Sequence, residues 1–337
     1  MGRMPPHRLI PTTYPRITGE VAKAVLEVLA GQPTDDVARR INMHPVSLSD
    51  AVDTFVAAGT DATFRHQYHP NWLQVYVEFP NWHDADHTAA EHLVPLLLDT
   101  ENGGTCSRWW FIRKHPYWRL RMQTSAENHT RDELGARLDD LTSAGHLRGW
   151  HSGTYEPETA AFGGPIGMMN AHLLFAADSR HVLSLSTLPE LPLGRRELSV
   201  LLPTVMMSAA GLEWGEQGDV WDLVINEEYR NVADLSDQVT ALAETVRPLL
   251  LSGLSSDGPL FGPGKPLHPI ADWAAAFEAA GRALQTAHAC NTLERSIRRT
   301  LAYNVIFHWN RLGLSDGVQS ALALAARTAV FDPPQSI

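Results

Sequence analysis

The sequence predicts an α+β protein: a mostly antiparallel sheet covered by helices, with a long helical C-terminal half and a small N-terminal helical subdomain. Three observations carry this. Trp72 to Phe79 (WLQVYVEF) and Arg108 to Met122 alternate with the period of strands. From Leu183 onward apolar residues recur almost throughout at helical spacing. Near the start, three short helical segments surround a tight turn, the pattern of a helix-turn-helix unit. The domains expected are 1–68, helical, and 69–337, the α+β body.

In chain order, Met1 to Arg16 is proline-punctuated and reads as an extended lead-in. Thr18 to Ala30 reads as a helix with Val21, Ala24, Val25, Val28 and Leu29 on one side. Asp35 to Ile41 is a second, short helix. Ser47 to Ala58 is a third, started by a capping-box-like Ser47 and Asp50 and stopped by Gly59. Such a unit binds DNA or packs on the body or a partner. The segment from Asp35 to Gly59 has Arg39, Arg40 and His44 but also Asp35, Asp36, Asp50 and Asp53. Phosphate contacts dominate DNA affinity, so packing is the favoured reading. Asp84 to Leu98 is helical, the hairpin turns at His115-Pro116, and Thr130 to Ala144 is helical. Tyr155 to Gly167 is a glycine-rich loop leading into a helix from Gly167 to Asp178. Six further helices follow from Gly194 to Ala329, interrupted by the clearest loop, Gly253 to Pro269, a candidate flexible cover.

The 337 residues carry 38 acidic and 27 basic side chains, a net charge of −11, with no basic block. That argues against a nucleic-acid groove as the main working surface. Sixteen histidines stand mostly alone, and Cys106 and Cys290 match no metal spacing, so no metal or cofactor is expected. Two cysteines in a chain this long fit a reducing cytoplasm. The first residues lack the apolar core of a signal peptide, and no uncharged run is long enough to span a bilayer.

Three groups could carry chemistry. On the hairpin, Trp118, Leu120 and Met122 alternate with Arg119 and Arg121, and Arg113 on the first strand can join the two. Three guanidiniums so close repel unless an anion sits among them, either a substrate or an acidic side chain such as Glu156 or Glu158. On the last long helix, His308 falls within the buried stripe of Ile297, Leu301, Val305 and Leu312, flanked by Asn304 and Arg311. It is a core histidine or a general base held at a cleft. In the loop, Tyr155, Glu156 and Glu158 supply acid-base and hydrogen-bonding groups. Gly163 and Gly164 would let backbone amides approach a ligand, and His172 could face them.

At these residues the sequence resembles the thiopeptide-type bacteriocin biosynthesis family. The segments that carry the resemblance are WWFIRKHPYWRLR, YEPETAAFGGPIGMMNAHLLFAADS and VIFHWNRLGL, in that order. It runs from about Trp72 to the C-terminus. The family is the stand-alone counterpart of the elimination domain of lantibiotic dehydratases. The resemblance implies a lyase that removes glutamate from glutamylated Ser or Thr of a ribosomal precursor peptide, leaving dehydroalanine or dehydrobutyrine. A separate glutamyl-tRNA-dependent protein would add the glutamate, and a homodimer is compatible with the pattern. His308 would be base or proton shuttle, and Arg113 with Arg119 or Arg121 would hold the glutamate. Tyr155, Glu156 or the Gly163-Gly164 backbone would orient the peptide. A second branch of the same fold joins two dehydroalanines by a formal [4+2] cycloaddition into a pyridine. A third alternative is an adaptor that binds a leader peptide or DNA. Where many elimination domains carry arginine before aromatic-Gly-Gly, this chain has Ala161. Arg298 or Arg311 would have to substitute, or the reaction differs.

Overall fold

The structure is a computed structural model that describes residues 17–68, 71–124, 126–188, 190–227, 236–251 and 258–332. The expected lead-in, Met1 to Arg16, lies outside them. The chain divides into two compact units, Met1–His69 and Pro70–Ile337.

The first unit holds α1 (Ile17–Leu29), α2 (Thr34–Arg40) and α3 (Pro45–Tyr68) around a small core of Ala24, Val25, Val37, Ala38 and Leu48. Two expectations fail here. The third helix begins at Pro45, a residue suited to a first turn, so Ser47 lies inside the helix rather than capping it. Gly59 does not stop it. The helix continues to Tyr68, because a lone glycine costs only about 1 kcal/mol when helix-compatible residues follow.

The second unit opens with β1 (Asn71–Glu78) and α4 (Ala85–Thr88). A single π turn (Ala89–Leu93) leads into α5 (Val94–Asn102). β2 (Cys106–Lys114) and β3 (Tyr117–Thr124) form the expected hairpin, with a cis His115-Pro116 bond at its turn. Then come α6 (Glu127–Ser143) and β4 (Gly149–Gly153). β4 was not foreseen: its five residues include two glycines and offer little strand signal. The sheet order is β2-β3-β1-β4, every pairing antiparallel.

Alternation gives the sheet two unlike faces. One carries Leu73, Val75 and Val77 with Trp109, Phe111, Trp118, Leu120 and Met122, all buried. The other carries Gln74 and Tyr76 from β1, Trp110, Ile112 and Lys114 from β2, and Arg119 and Arg121 from β3. Helix α7 (Gly164–Ser184) lies against this second face, its Phe175 on Trp110 and its His172 on Trp72.

The helical half contains α8 (Arg195–Ala209), α9 (Trp214–Glu227), α10 (Ser236–Leu251), α11 (Ala271–Ala289), α12 (Ile297–Leu312) and α13 (Asp316–Phe331). The loop from Gly253 to Pro269 is described only from residue 258. That part buries Phe261 and Leu267 completely or nearly so, which makes it packed structure rather than a cover. No helix among the described residues is long and apolar enough to cross a membrane.

Candidate functional site

Helix α12 presents two stripes, and they do different things. Asn304, His308 and Arg311, at i, i+4 and i+7, point into the core; Tyr303, Ile306, Phe307 and Asn310 line a cleft of about 280 Å³.

The inner stripe meets Asp178 of α7. Asp178 accepts from His308 Nδ1 at 2.9 and 3.0 Å, from Arg311 Nε at 2.6 Å and from Trp273 Nε1 at 2.8 Å. Asp178, His308 and Arg311 are all fully buried. Burial alone would raise the Asp178 carboxyl; His308 and Arg311 outweigh it and hold it down at about 2. Asp178 is one of the residues that the sequence does not single out. A lone acid in the apolar run LLFAADS was its only signal.

This arrangement sets His308 in the core rather than on the wall of an open cleft. Its ring is enclosed by Asp178, Trp273 and Phe277 and lines none of the clefts described here. Its Nδ1 is taken by Asp178, and its Nε2 has no hydrogen-bond partner among the described residues.

The placement of Arg113 is corrected. In register it pairs with Trp118, so it belongs to the apolar face and not with Arg119 and Arg121. Its guanidinium lies 4.5 Å over the Trp118 ring, donates to the Arg311 carbonyl at 2.6 and 3.0 Å, and pairs with Asp86. Its backbone N–H donates to Asn310 Oδ1 at 2.7 Å. Arg113 therefore ties the sheet to the end of α12 and has little left to clamp a substrate.

The glycines are also structural. Gly163 and Gly164 adopt φ of +83° and +90°, and a Cβ there would press on Thr300 Oγ1 at 2.9 Å or the Glu294 carboxyl at 2.6 Å. Their N–H groups donate to Ala160 and Thr159 carbonyls, so neither amide is directed at a ligand. Arg298 sits elsewhere, ion-paired to Glu216 and Asp219 at another cleft of about 520 Å³. Arg311 is committed to Asp178. Neither substitutes at Ala161, whose carbonyl accepts from Arg295 at 3.2 Å.

What the structure does bring together is on the second sheet face. Arg121 is buried to 4% exposure yet makes no ion pair among the described residues. Its Nε donates to Gln74 Oε1 at 2.8 Å, and its plane lies 4.3 Å from Trp110 and 4.4 Å from Tyr155. Burial pushes the guanidinium down to about 10, still charged at neutral pH. The Tyr155 hydroxyl meets His172 Nε2 at 2.7 Å, within a ring contact set that includes Trp72, Trp110 and Phe175. Burial first, and Glu158 after it, raise the phenol despite Arg121, so Tyr155 keeps its proton.

Arg119, one pair along, stands over Tyr76 opposite Ile112, and Ile112 and Lys114 line the 280 Å³ cleft with Glu158. The two acidic candidates differ in place: Glu158 lines this cleft, and Glu156 is exposed and lines none of those described.

Arg121, held by two ring faces and an amide oxygen and without an ion pair among the described residues, thus stands beside a phenol–imidazole pair. The chain belongs to the family "Lantibiotic biosynthesis dehydratase C-term", which matches residues 72–330, and so falls among peptide-modifying enzymes. Three solved structures share the fold. MibB, a tRNA-dependent lantibiotic dehydratase from Microbispora sp. 107891, is 20% identical with a TM-score of 0.59 over 77% of this chain. The chain spans only 28% of MibB. TsrL is 15% identical, TM-score 0.54, over 78% of this chain and 97% of its own. TbtD, a pyridine synthase from thiomuracin biosynthesis, is 14% identical, TM-score 0.51, over 77% and 98%. No curated protein matches.

Proposed function

We propose that this protein eliminates glutamate from glutamylated Ser or Thr of a ribosomally made precursor peptide, acting after a separate glutamyl-tRNA-dependent protein has formed the ester. The observation that carries this reading is Arg121: a buried guanidinium with no carboxylate of its own is costly to the fold unless a guest supplies one. A glutamyl ester brings a free carboxylate and leaves as a second one. Arg121 takes the leaving carboxylate, and Arg119 and Lys114 raise the positive potential along the same face.

The proton chemistry falls to Tyr155 and His172. As the substrate Cα–H bond breaks, the Tyr155 oxygen receives that proton and passes its own to His172 Nε2. The Cα–Cβ double bond forms, the Cβ–O bond breaks, and glutamate departs with the bonding pair. His172 is the proton sink, because the raised phenol does not ionise by itself. Elimination in this form does not use His308 or Arg113.

Incubating the protein with a peptide bearing one glutamylated Ser tests this. Free glutamate and a dehydroalanine peptide are the expected products; an intact ester would overturn the reading. A second reading is supported by the cleft and the shared fold. Helix α12 gives the cleft an apolar wall of Ile306 and Phe307, and the pyridine synthase TbtD has the same fold. In that reading the protein is a cycloaddition enzyme, and a doubly dehydrated peptide would gain a six-membered ring while the glutamyl ester stayed intact.

A further inference from the structure

We infer that Gln74 is the positioning residue of the anion site: its neutral amide aims the Arg121 guanidinium, leaves the charge unclaimed, and ties it in register with Tyr155. The role of Arg121 rests on the function proposed above; the hold on it rests on geometry. Gln74 lies on β1, the strand between β3 and β4, opposite Arg121 on one side and Gly153 on the other. It is 2% exposed, between the buried Leu73 and Val75. An amide so buried is costly unless its polar atoms are bonded, and here they are. Its Oε1 accepts from Arg121 Nε at 2.8 Å, and its Nε2 donates to the Thr154 carbonyl at 3.0 Å and to the Tyr76 hydroxyl at 3.1 Å. A carbonyl can only accept. Thr154 therefore fixes which end of the amide carries the N–H groups, and the oxygen is left to face Arg121.

Two constraints set the direction of the cation. Trp110 and Tyr155 stand edge to face at 81° and make a corner, with the centre of the guanidinium 4.3 and 4.4 Å from their ring centroids. The bond at Nε fixes how the group is turned within that corner. The two terminal nitrogens are left over. They make no hydrogen bond among the described residues, and, unlike those of Arg311, they are not sealed from solvent. An edge held in this way meets a carboxylate without first having to be ordered.

The chemistry of the acceptor matters as much as its place. In Arg311 the same atom, Nε, is held by the Asp178 carboxylate at 2.6 Å. In Arg121 an amide makes the equivalent bond and brings no charge. Glu158 is near enough to be felt by Arg121 but forms no ion pair with it among the described residues, so the amide leaves the cation for a guest. The same side chain joins two parts of the site. Thr154 precedes Tyr155, so the bond from Nε2 anchors the chain where the phenol enters, and that phenol meets His172. Strand β4 makes room for the arrangement: a Cβ on Gly153 would lie 2.2 Å from the Tyr76 ring and 3.3 Å from Gln74 Nε2.

Calorimetric titration with L-glutamate and with its diamide, which carries no carboxylate, tests this. Wild type is expected to prefer glutamate by about tenfold or more. Gln74→Glu gives Arg121 a permanent partner and should bring that preference down to about twofold or less. Gln74→Met keeps the volume and the free charge but removes the bond at Nε. It should keep the preference, bind glutamate about fivefold more weakly, and lose more in kcat than in KM on a glutamylated peptide, as the cation and Tyr155 fall out of register. A merely structural role would lower the urea midpoint of both variants and leave the preference and the split between kcat and KM alone. No preference in wild type, the wild-type preference in Gln74→Glu, or an unchanged glutamate affinity in Gln74→Met overturns the inference; where Gln74→Glu does not fold, Gln74→Met decides. The two proposals fail separately. A preference erased by Gln74→Glu, with no elimination by the wild type, upholds Gln74 and sinks elimination; elimination that Gln74→Glu leaves at the wild-type rate does the opposite.

Discussion

Arg311 and Arg121 are both buried arginines beside aromatic rings, one 4.4 Å over Phe175 and the other 4.3 Å over Trp110, and those two rings pack on each other. They differ in what neutralises them. Arg311 has Asp178, within a fully buried network that also takes up His308 and Trp273. Arg121 has an amide oxygen and two ring faces. A buried charge with a buried counter-charge serves the fold, because removing one partner strands the other. A buried charge without one is a cost the fold carries, and such a cost is retained where a ligand repays it. Only an aromatic layer separates the two regions, so the same residue type acts as a core tie on one side and, on the function proposed above, as a binding group on the other.

The comparison can be broken most forcefully by catalysis. Arg121→Met keeps the volume and removes the charge; glutamate release under single turnover is expected to fall at least about a hundredfold. A milder loss would return the anion-binding role to Arg119 or Lys114.

Acid sharpens the other half. The Asp178 carboxyl is depressed to about 2 from an ordinary 3.8, so its contribution to stability is complete above about pH 4 and disappears as the pH falls toward 2. Urea unfolding of the wild type should show about 2 kcal/mol of stability lost across that window on this account. Asp178→Asn, less stable at neutral pH, should lack that acid-dependent part.

The smallest effect concerns the proton relay. Tyr155→Phe should lower the elimination rate about tenfold or more with KM little changed, since the hydroxyl acts on the moving proton and not on affinity. A change confined to KM would make Tyr155 a binding group only.

Much of this was legible in the sequence, and the failures have physical causes. Strand alternation gave Arg119 and Arg121 a face of their own, opposite Leu120 and Met122. It misplaced Arg113, because parity must be carried across the turn. Two residues at His115-Pro116 set Lys114 against Tyr117 and hence Arg113 against Trp118. The stripe on α12 was visible and His308 was assigned to it. Whether that stripe opens on a cleft or on another helix depends on α7 and α11, which no local pattern reports. Asp178 and Gln74 went unread for the same reason, since a single polar residue in an apolar run gains meaning only from its partner. The glycines Gly163 and Gly164 read as a ligand cradle. The structure uses them to admit the Glu294 and Thr300 side chains.

The claim under all of this is that Arg311 holds the fold and Arg121 awaits a guest. Equilibrium urea unfolding at pH 7 of Arg311→Met and Arg121→Met, side by side, tests it most directly. Arg311→Met should lose about 3–5 kcal/mol by stranding Asp178, and Arg121→Met should lose less than about 1 kcal/mol or gain stability. Equal losses, or a larger loss at Arg121, would contradict it.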